Sequence, residues 1–232
     1  MANDITTRYQ SILDRIQKAC NDCGRDPAGI LLVAVSKTKP DNDLHRLIDE
    51  GHLHFGENRA KALEKRMESV PDRSIQWHFI GTLQSNKIKY IAHRVNWIQS
   101  VHKKSALKEI EKRAGGFNRV INTLIQVNIS DEDQKSGCDP AQLEEILKYA
   151  QDLKFTRVCG LMGMATYTED PEKVRPEFQL LKNVFEEHQH LNKGSVQLEH
   201  LSMGMTNDLE VAIQEGSTMV RVGTAIFGER NY

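Results

Sequence analysis

Short apolar runs alternate with amphipathic helical stretches along almost the whole of this 232-residue sequence. The pattern predicts eight strands, with a helix between each strand and the next. Parallel strands joined by crossover helices produce this alternation. The predicted strands lie near residues 30–36, 53–56, 76–81, 95–100, 119–128, 155–162, 196–201 and 217–222.

Helical patterns fill the intervals between these runs. An eightfold count favours a closed (β/α)8 barrel of the TIM type over an open doubly wound sheet, which remains the alternative. No linker or break in composition divides the chain, so residues 1–232 are predicted to form a single domain. The predicted helices are an extra N-terminal one over 5–22 and others near 41–50, 58–69, 86–93, 103–114, 139–151, 172–190 and 207–215.

Composition argues against several classes of protein. The 31 basic residues balance 32 acidic ones, so neither nucleic acid nor a membrane surface is indicated as a partner. No apolar run approaches the roughly 18–20 residues of a membrane helix, and no secretory signal opens the chain, which indicates a cytoplasmic location.

Cys20 and Cys23 form a single C-x-x-C without the second pair that a structural zinc site needs, so no metal is expected.

The first predicted strand ends at a lysine, within LLVAVSKTKP at 31–40. Every second residue from Leu31 to Lys37 points to the same side of the strand. An amine at the inner mouth of a barrel would be partly desolvated, which lowers its pKa and makes it a nucleophile toward carbonyl groups. A surface lysine at a strand end is the alternative, and Lys39, which precedes Pro40, is the rival amine.

Two loops late in the chain have the composition of a phosphate cradle: LSMGMTND and RVGTAIFGE. They follow the seventh and eighth strands, where barrels of this type often bind phosphate. Gly204 and Gly223 would let backbone amides approach a ligand, and Ser202 and Thr224 supply hydroxyl donors. Asn207 and Glu210 have the spacing of a capping box that would begin the next helix.

Arg221 interrupts the apolar stretch TMVRVGTAIF. A buried guanidinium must be paired or hydrogen-bonded, so its partner is either a neighbouring glutamate or a ligand. Together, Lys37, the two loops and Arg221 describe a site for pyridoxal 5′-phosphate, with the aldehyde at the lysine and the ring nitrogen near the arginine. Because arginine only donates hydrogen bonds, that nitrogen would be unprotonated, which makes the ring a weaker electron sink.

Seven motifs occur in a fixed order along the chain: AVSKTKP, HFGENRAK, WHFIGTLQSNK, VNISDEDQKSG, GLMGMAT, LSMGMTND and STMVRVGTAIFGER. In order and spacing they resemble those of the pyridoxal phosphate homeostasis protein family, often called the YggS/PROSC type. The resemblance covers essentially the whole chain. It implies a single barrel of fold type III, related to the N-terminal domain of alanine racemase, and a role in the cellular supply of pyridoxal phosphate.

The resemblance also assigns residues to the cofactor. It implies that Lys37 holds pyridoxal phosphate as an aldimine, that Ser202, Gly223 and Thr224 hold the phosphate, and that Arg221 faces the ring nitrogen.

Two further positions match family residues that line the mouth of the site, Asn58 of GEN and His78 of WHFIG. His78 lies within a predicted strand between Trp77 and Phe79, so a hydrogen-bonded core histidine is the alternative for it.

The function classes that remain are a carrier or regulator of pyridoxal phosphate and an enzyme that uses it. Related racemases take an essential tyrosine from a C-terminal β-domain, whereas about ten residues follow the eighth strand here, ending in Tyr232. Racemisation needs an acid or base on each face of the substrate, and only Lys37 is visible.

We therefore expect a monomeric binding protein without catalytic residues. Its expected partners are pyridoxal phosphate, other B6 vitamers and the apo forms of enzymes that use the cofactor. A racemase or related enzyme with weak activity is the alternative, and a cofactor-free lysine aldolase is a more remote one.

Overall fold

Eight parallel strands close into a barrel in the order of the chain, in a computed structural model that describes residues 4–130 and 137–229. The first and last strands pair directly, with Leu31 opposite Met219. The predicted closed barrel is therefore confirmed, and the open sheet is excluded. The strands are β1 (Leu31–Val35), β2 (His54–Glu57), β3 (Gln76–Phe79), β4 (Trp97–Val101), β5 (Ile121–Gln126), β6 (Thr156–Met162), β7 (Val196–Ser202) and β8 (Met219–Val222).

Helices follow the strands around the outside of the barrel. The α-helix predicted over 172–190 is shorter than expected, because 3-10 turns at Pro171–Val174 and Gln189–Leu191 replace its two ends. A one-turn helix directly after β8 had no sequence signal, since four residues are too few to show a helical period. The helices are α1 (Ile5–Asp22), α2 (Asp41–Asp49), α3 (Ala60–Ser69), α4 (Ile88–Ile91), α5 (Lys104–Gly116), α6 (Pro140–Ala150), α7 (Arg175–Glu187), α8 (Leu209–Gln214) and α9 (Thr224–Phe227).

Helix α1 packs against α2, α8 and α9. Its apolar stripe is buried as its period predicted, and the C-x-x-C lies at its C-terminal end, where the Cys23 thiol donates to the Ala19 carbonyl. Within the described ranges, no cluster of three or more metal-ligating side chains occurs, and no helix is both long and apolar enough to cross a membrane. Residues 131–136 of the VNISDEDQKSG motif and Tyr232 lie outside the described residues.

The wall of the barrel separates two different interiors. Because side chains alternate along a strand, Leu32 and Ala34 join the large apolar core under the helices, whereas Val33 points into the barrel. Inside, Val33 belongs to a small apolar cluster with Leu124, Cys159, Met162 and Met219. The remaining barrel interior is polar, and its fully or nearly buried members include His78, Gln99, Ser202 and Arg221.

Candidate functional site

A cavity of about 840 Å³ opens at the C-terminal ends of the strands. Active sites of (β/α)8 barrels lie at this face because the loops that follow the strands converge there. Loops after six of the strands contribute to its lining. Among the lining residues are Lys37, Asn58, Thr82, Thr166, Thr206, Arg221, Gly223 and Thr224.

Lys37 is presented by a tight turn directly after β1. The turn is closed by a hydrogen bond from the Lys39 amide to the Ser36 carbonyl, 3.1 Å long. Thr38 has a φ of 64°, a left-handed conformation that is unfavourable for a β-branched residue, at a cost of about 1–3 kcal/mol. The Arg66 guanidinium donates to the Lys39 carbonyl at 2.6 Å and holds the turn from the side of α3.

The rival amine, that of Lys39, has a structural role. Its ammonium group donates to the carbonyl oxygens of Gly228 at 2.9 Å and Glu229 at 2.6 Å, just beyond α9. Lys37 is half-buried and lines the cavity. Lys39 also lines the cavity, and Lys37 as the amine that meets a ligand stays a prediction.

A buried carboxylate lies beneath this turn. Glu57, at the end of β2, accepts a hydrogen bond from the Ser36 hydroxyl at 3.3 Å and lies 3.6 Å from the Arg66 guanidinium. Burial raises the pKa of Glu57, while the charges of Arg66 and Lys37 and nearby hydrogen bonds oppose that rise. Glu57 and Arg66 thus anchor the turn that carries Lys37.

Glycine-containing loops follow β7 and β8, and the β8 loop lies beside the Lys37 turn because β8 pairs with β1. A Cβ atom at Gly223 would lie 3.3 Å from Val35, and one at Gly204 would lie 2.6 Å from Ala212, so backbone packs closely at both positions. Helix α9 begins at Thr224, and the first amides of a helix lack acceptors within the helix. Hydroxyl and amide donors therefore gather beside β8, as a phosphate requires.

Positive charge predominates in the cavity. Its charged lining residues within the described ranges are Lys37, Lys39, Arg59 and Arg221, with Asp208 as the single acid. This excess suits an anionic ligand. A primary amine after β1 and a backbone cradle after the neighbouring β8 fit an aldehyde that carries a phosphate.

Arg221 lies at the floor of the cavity and is 4% exposed. Its Nη1 donates to the Ser202 hydroxyl at 2.5 Å, and its Nη2 donates to the Gly163 carbonyl at 2.9 Å. Burial lowers the pKa of Arg221 to about 10, and the charge of Asp208 opposes that shift, so the group remains a cation at neutral pH. Within the described ranges Arg221 makes no salt bridge, so the glutamate partner considered from the sequence is not found.

Two residues predicted to contact the cofactor lie below the cavity. Ser202 is fully buried, and its hydroxyl contacts Arg221 and Gln99. His78 is also fully buried, stacks on Trp97 and bonds to Gln99. The placement of His78 at the mouth is thus corrected to a hydrogen-bonded position in the barrel interior, because its side chain points inward from the middle of β3.

The comparisons with known proteins agree with this geometry. The model of the alanine racemase N-terminal domain family matches residues 28–231. A pyridoxal phosphate homeostasis protein of Aquifex aeolicus is 43% identical to this chain over 97% of it and 98% of the relative. This chain belongs to the pyridoxal phosphate homeostasis protein family.

A further member of this family and a solved structure also match almost the whole chain. The one from Escherichia coli (strain K12) is 37% identical over 99% of this chain and 98% of its own. The solved structure of PipY from Synechococcus elongatus PCC7942 with PLP bound has a TM-score of 0.81 and 29% identity, and it covers 92% of this chain and 100% of PipY. Both matches therefore extend over the barrel and its cavity.

Five of the seven residues predicted for this family site line one cavity: Lys37, Asn58, Arg221, Gly223 and Thr224. Sequence reasoning missed Gln99, which connects the two predicted residues that do not line the cavity. The sequence does contain a pattern that could have identified Gln99, because this polar residue interrupts the apolar run NWIQSV just as Arg221 interrupts its own strand.

The predicted capping box after β7 is wrong. Helix α8 begins at Leu209 with Asp208 at its N-cap, so Asn207 does not begin the helix. Glu210 instead accepts from Arg15 of α1 at 2.6 Å. Asn207 instead lines the cavity. The capping box required Glu210, and the side chain of Glu210 forms an ion pair with Arg15.

Proposed function

We propose that this protein binds pyridoxal 5′-phosphate covalently through Lys37 and contributes to the supply of that cofactor in the cell. The observation that carries the proposal is the placement of the Lys37 amine and the Gly223–Thr224 backbone around the same cavity of about 840 Å³. Relatives named pyridoxal phosphate homeostasis protein and the PLP-bound PipY structure support it.

Pyridoxal phosphate supplies an aldehyde that condenses with a primary amine and releases one water. Lys37 provides the amine, held in position by its strained, anchored turn. Gly223 and Thr224 offer donors to the phosphate, and Asn58 lines the mouth. Arg221 can only donate, so it favours an unprotonated acceptor on the ring.

We propose that the protein acts as a carrier or regulator and not as an enzyme. Its relatives are named for homeostasis. The cavity is also rimmed by the exposed side chains of Met164, Tyr167 and Met205, so water reaches the site. Access of water suits release by hydrolysis, whereas catalysis on this cofactor profits from its exclusion.

The proposal extends to the organisation and partners of the molecule. We propose that residues 1–232 form one cofactor-binding domain, because loops around a single closed barrel line the cavity, and that this domain acts as a monomer in the cytoplasm. Other B6 vitamers that carry the phosphate would use the same cradle. Apo-enzymes that require pyridoxal phosphate would be the recipients.

Reduction and mass spectrometry test the covalent site. Protein mixed with pyridoxal phosphate is reduced with borohydride, digested and analysed for the modified peptide. We expect the adduct on Lys37, complete loss of the adduct in Lys37→Ala and retention in the matched control Lys39→Ala. An adduct confined to Lys39 would overturn the assignment.

A transfer assay tests the carrier role. Loaded protein is mixed with an apo-enzyme that needs pyridoxal phosphate, in the presence of a phosphatase that destroys free cofactor. We expect enzyme activity to return while equal free pyridoxal phosphate fails to restore it. Equal failure of both samples would contradict delivery, and robust turnover in an amino-acid panel monitored by α-proton exchange would favour the racemase alternative.

A further inference from the structure

A chain of hydrogen-bonded side chains crosses the barrel interior below the cavity. It runs from Arg221 to Ser202 at 2.5 Å, to Gln99 at 2.7 Å, to His78 at 2.9 Å and to His54 at 3.1 Å. These five residues, here named the barrel relay, belong to β8, β7, β4, β3 and β2. The relay therefore links the floor of the cavity to the start of β2, deeper in the barrel.

The direction of every bond in the relay follows from its Arg221 end. Arginine has no acceptor, so Arg221 donates and the Ser202 oxygen accepts. The Ser202 hydroxyl proton then goes to the Gln99 carbonyl oxygen, which turns the Gln99 amide nitrogen toward His78. Nδ1 of His78 accepts from that nitrogen, and its Nε2 carries the proton that it donates to His54.

The reversed orientation of the Gln99 amide is unfavourable at both of its ends. Its carbonyl oxygen would face the Met219 sulfur, which lies 3.0 Å from the amide nitrogen in the present orientation and is itself an acceptor. Its amide nitrogen would face Ser202, whose hydroxyl proton would lose its acceptor. A buried polar group without a partner costs more than a made hydrogen bond gains, so a single orientation is selected.

The relay requires neutral histidine in the barrel interior. A second proton on His78 would sit on Nδ1 and oppose the donor of Gln99. Burial lowers the pKa of His78 well below its ordinary value, and the charges of His54, His52 and His200 act in the same direction. His78 therefore has the protonation state that the hydrogen-bond pattern demands.

All donors in the relay point the same way, away from the cavity. Hydrogen bonds aligned in series polarise one another, which strengthens the acceptor at the head of the chain. That acceptor is the Ser202 oxygen beneath the Arg221 guanidinium. The Gly163 carbonyl holds the other terminal nitrogen at 2.9 Å, so the plane of the guanidinium is fixed by two acceptors.

We propose that Gln99 and His78 are positioning residues that fix Ser202 as an acceptor and thereby hold Arg221 in the orientation that meets the ligand. Neither residue lines the cavity, so each acts through Ser202. The effect on ligand binding rests on the proposed function, whereas the polarity of the relay does not.

The polarity is tested on ligand-free protein by nitrogen-15 NMR of the histidine rings. We expect His78 in a single neutral form with the proton on Nε2 at pH 7. In Gln99→Glu the carboxylate can still accept from Ser202 but cannot donate to His78, so His78 should become protonated on both nitrogens. A wild-type His78 that carries its proton on Nδ1, or a His78 unchanged in Gln99→Glu, would overturn the relay.

Positioning is tested by binding of pyridoxal phosphate to Gln99→Leu and to the matched control Thr123→Val. Thr123 is buried on β5, and its hydroxyl donates to the Arg157 carbonyl outside the relay. We expect about tenfold weaker binding and a shifted absorption band only in Gln99→Leu, as loss of an oriented charged hydrogen bond implies. Equal binding and an unchanged band in both variants would overturn the positioning role.

A second variant covers the case in which Gln99→Leu does not fold. Ser202→Ala removes the acceptor itself and should produce the same shift in band as a folded Gln99→Leu. If wild-type protein bound no pyridoxal phosphate, the proposed function would fail, while the NMR result on ligand-free protein would still decide the polarity of the relay.

Discussion

The two faces of the barrel wall are built from alternate residues of the same strands, yet they are stabilised in different ways. Outward-facing side chains such as Phe55, Trp77 and Ile98 are fully buried in an apolar core under the helices. Inward-facing neighbours such as His78 and Gln99 satisfy one another by hydrogen bonds. The stability of the outer face comes from buried apolar area and close packing, to which each residue contributes a part. The stability of the inner face comes from hydrogen bonds whose partners must all be present.

The difference assigns separate tasks to the two faces. A hydrophobic core tolerates swaps that conserve volume, so the outer face can specify the fold without any single indispensable residue. A directional chain tolerates no missing member, because each loss leaves a buried group unsatisfied. We expect changes outside to alter stability alone and changes inside to alter the site as well.

The largest expected effect on stability comes from the outer face. Phe55→Ala removes a fully buried ring that packs edge-on against His52 and tilted against Trp77. The free energy of unfolding should fall by about 3–5 kcal/mol, measured by urea denaturation. The folded fraction should still show neutral His78 with its proton on Nε2. Loss of that NMR signal would contradict the expectation that outer-face changes alter stability alone.

Buried histidines should make stability depend on pH, both those inside the barrel and His52, which packs against the outward-facing Phe55. Burial lowers the pKa of His52 from 6.5 to about 4, and those of His54, His78 and His200 are lowered as well, mainly by burial. As pH falls, the histidines of the unfolded state bind protons at a higher pH than those of the folded state. The stability that depends on neutral histidines is therefore fully present above pH 6.5 and is lost as pH falls below it. For His52 the loss is complete near pH 4 and amounts to roughly 3 kcal/mol.

Urea denaturation between pH 7 and pH 5 measures this slope, above the range where most carboxylates titrate. His52→Gln should flatten the slope, whereas Leu47→Ala, which changes a fully buried apolar side chain of α2 that does not titrate, should lower the curve without changing its shape. A wild-type curve that is flat over this interval would contradict neutral buried histidines.

A double-mutant cycle sharpens the comparison further. Ser202→Ala and Gln99→Leu remove adjoining members of the relay, so their effects on the free energy of unfolding should be non-additive by about 0.5–3 kcal/mol. The pair Ser202→Ala and Leu47→Ala lies on opposite sides of the wall and should be additive within about 0.5 kcal/mol. Additivity in both pairs would argue against a relay that acts as a unit.

The smallest expected effect concerns the turn that presents Lys37. Thr38→Gly relieves the left-handed strain but increases the freedom of the unfolded chain, so the two effects largely cancel. The free energy of unfolding should rise by less than about 1 kcal/mol. A large loss of stability, seen as a lower midpoint in urea, would mean that the threonine side chain stabilises the turn.

Local sequence patterns predicted the barrel, the lysine after β1 and the glycine loop after β8, because each depends on spacing within one segment. The connection of His78 to Gln99 and Ser202 depends on closure of the barrel, which brings three distant strands together. Register irregularities also occur between β4 and β5 and around β6, and no local pattern specifies them. The partners of Arg221 were missed for the same reason, since one of them is the backbone carbonyl of Gly163.

The double anchoring of the turn around Lys37 has a kinetic consequence. Arg66 of α3 donates a hydrogen bond to the turn, and Lys39 donates hydrogen bonds to carbonyl oxygens at the end of α9, beside the proposed phosphate cradle. The two proposed attachment points of the ligand therefore belong to one rigid frame. We expect the residence time of the ligand to be set by the chemical lability of the proposed bond to Lys37 and by competing amines in solution, and only weakly by solvent viscosity.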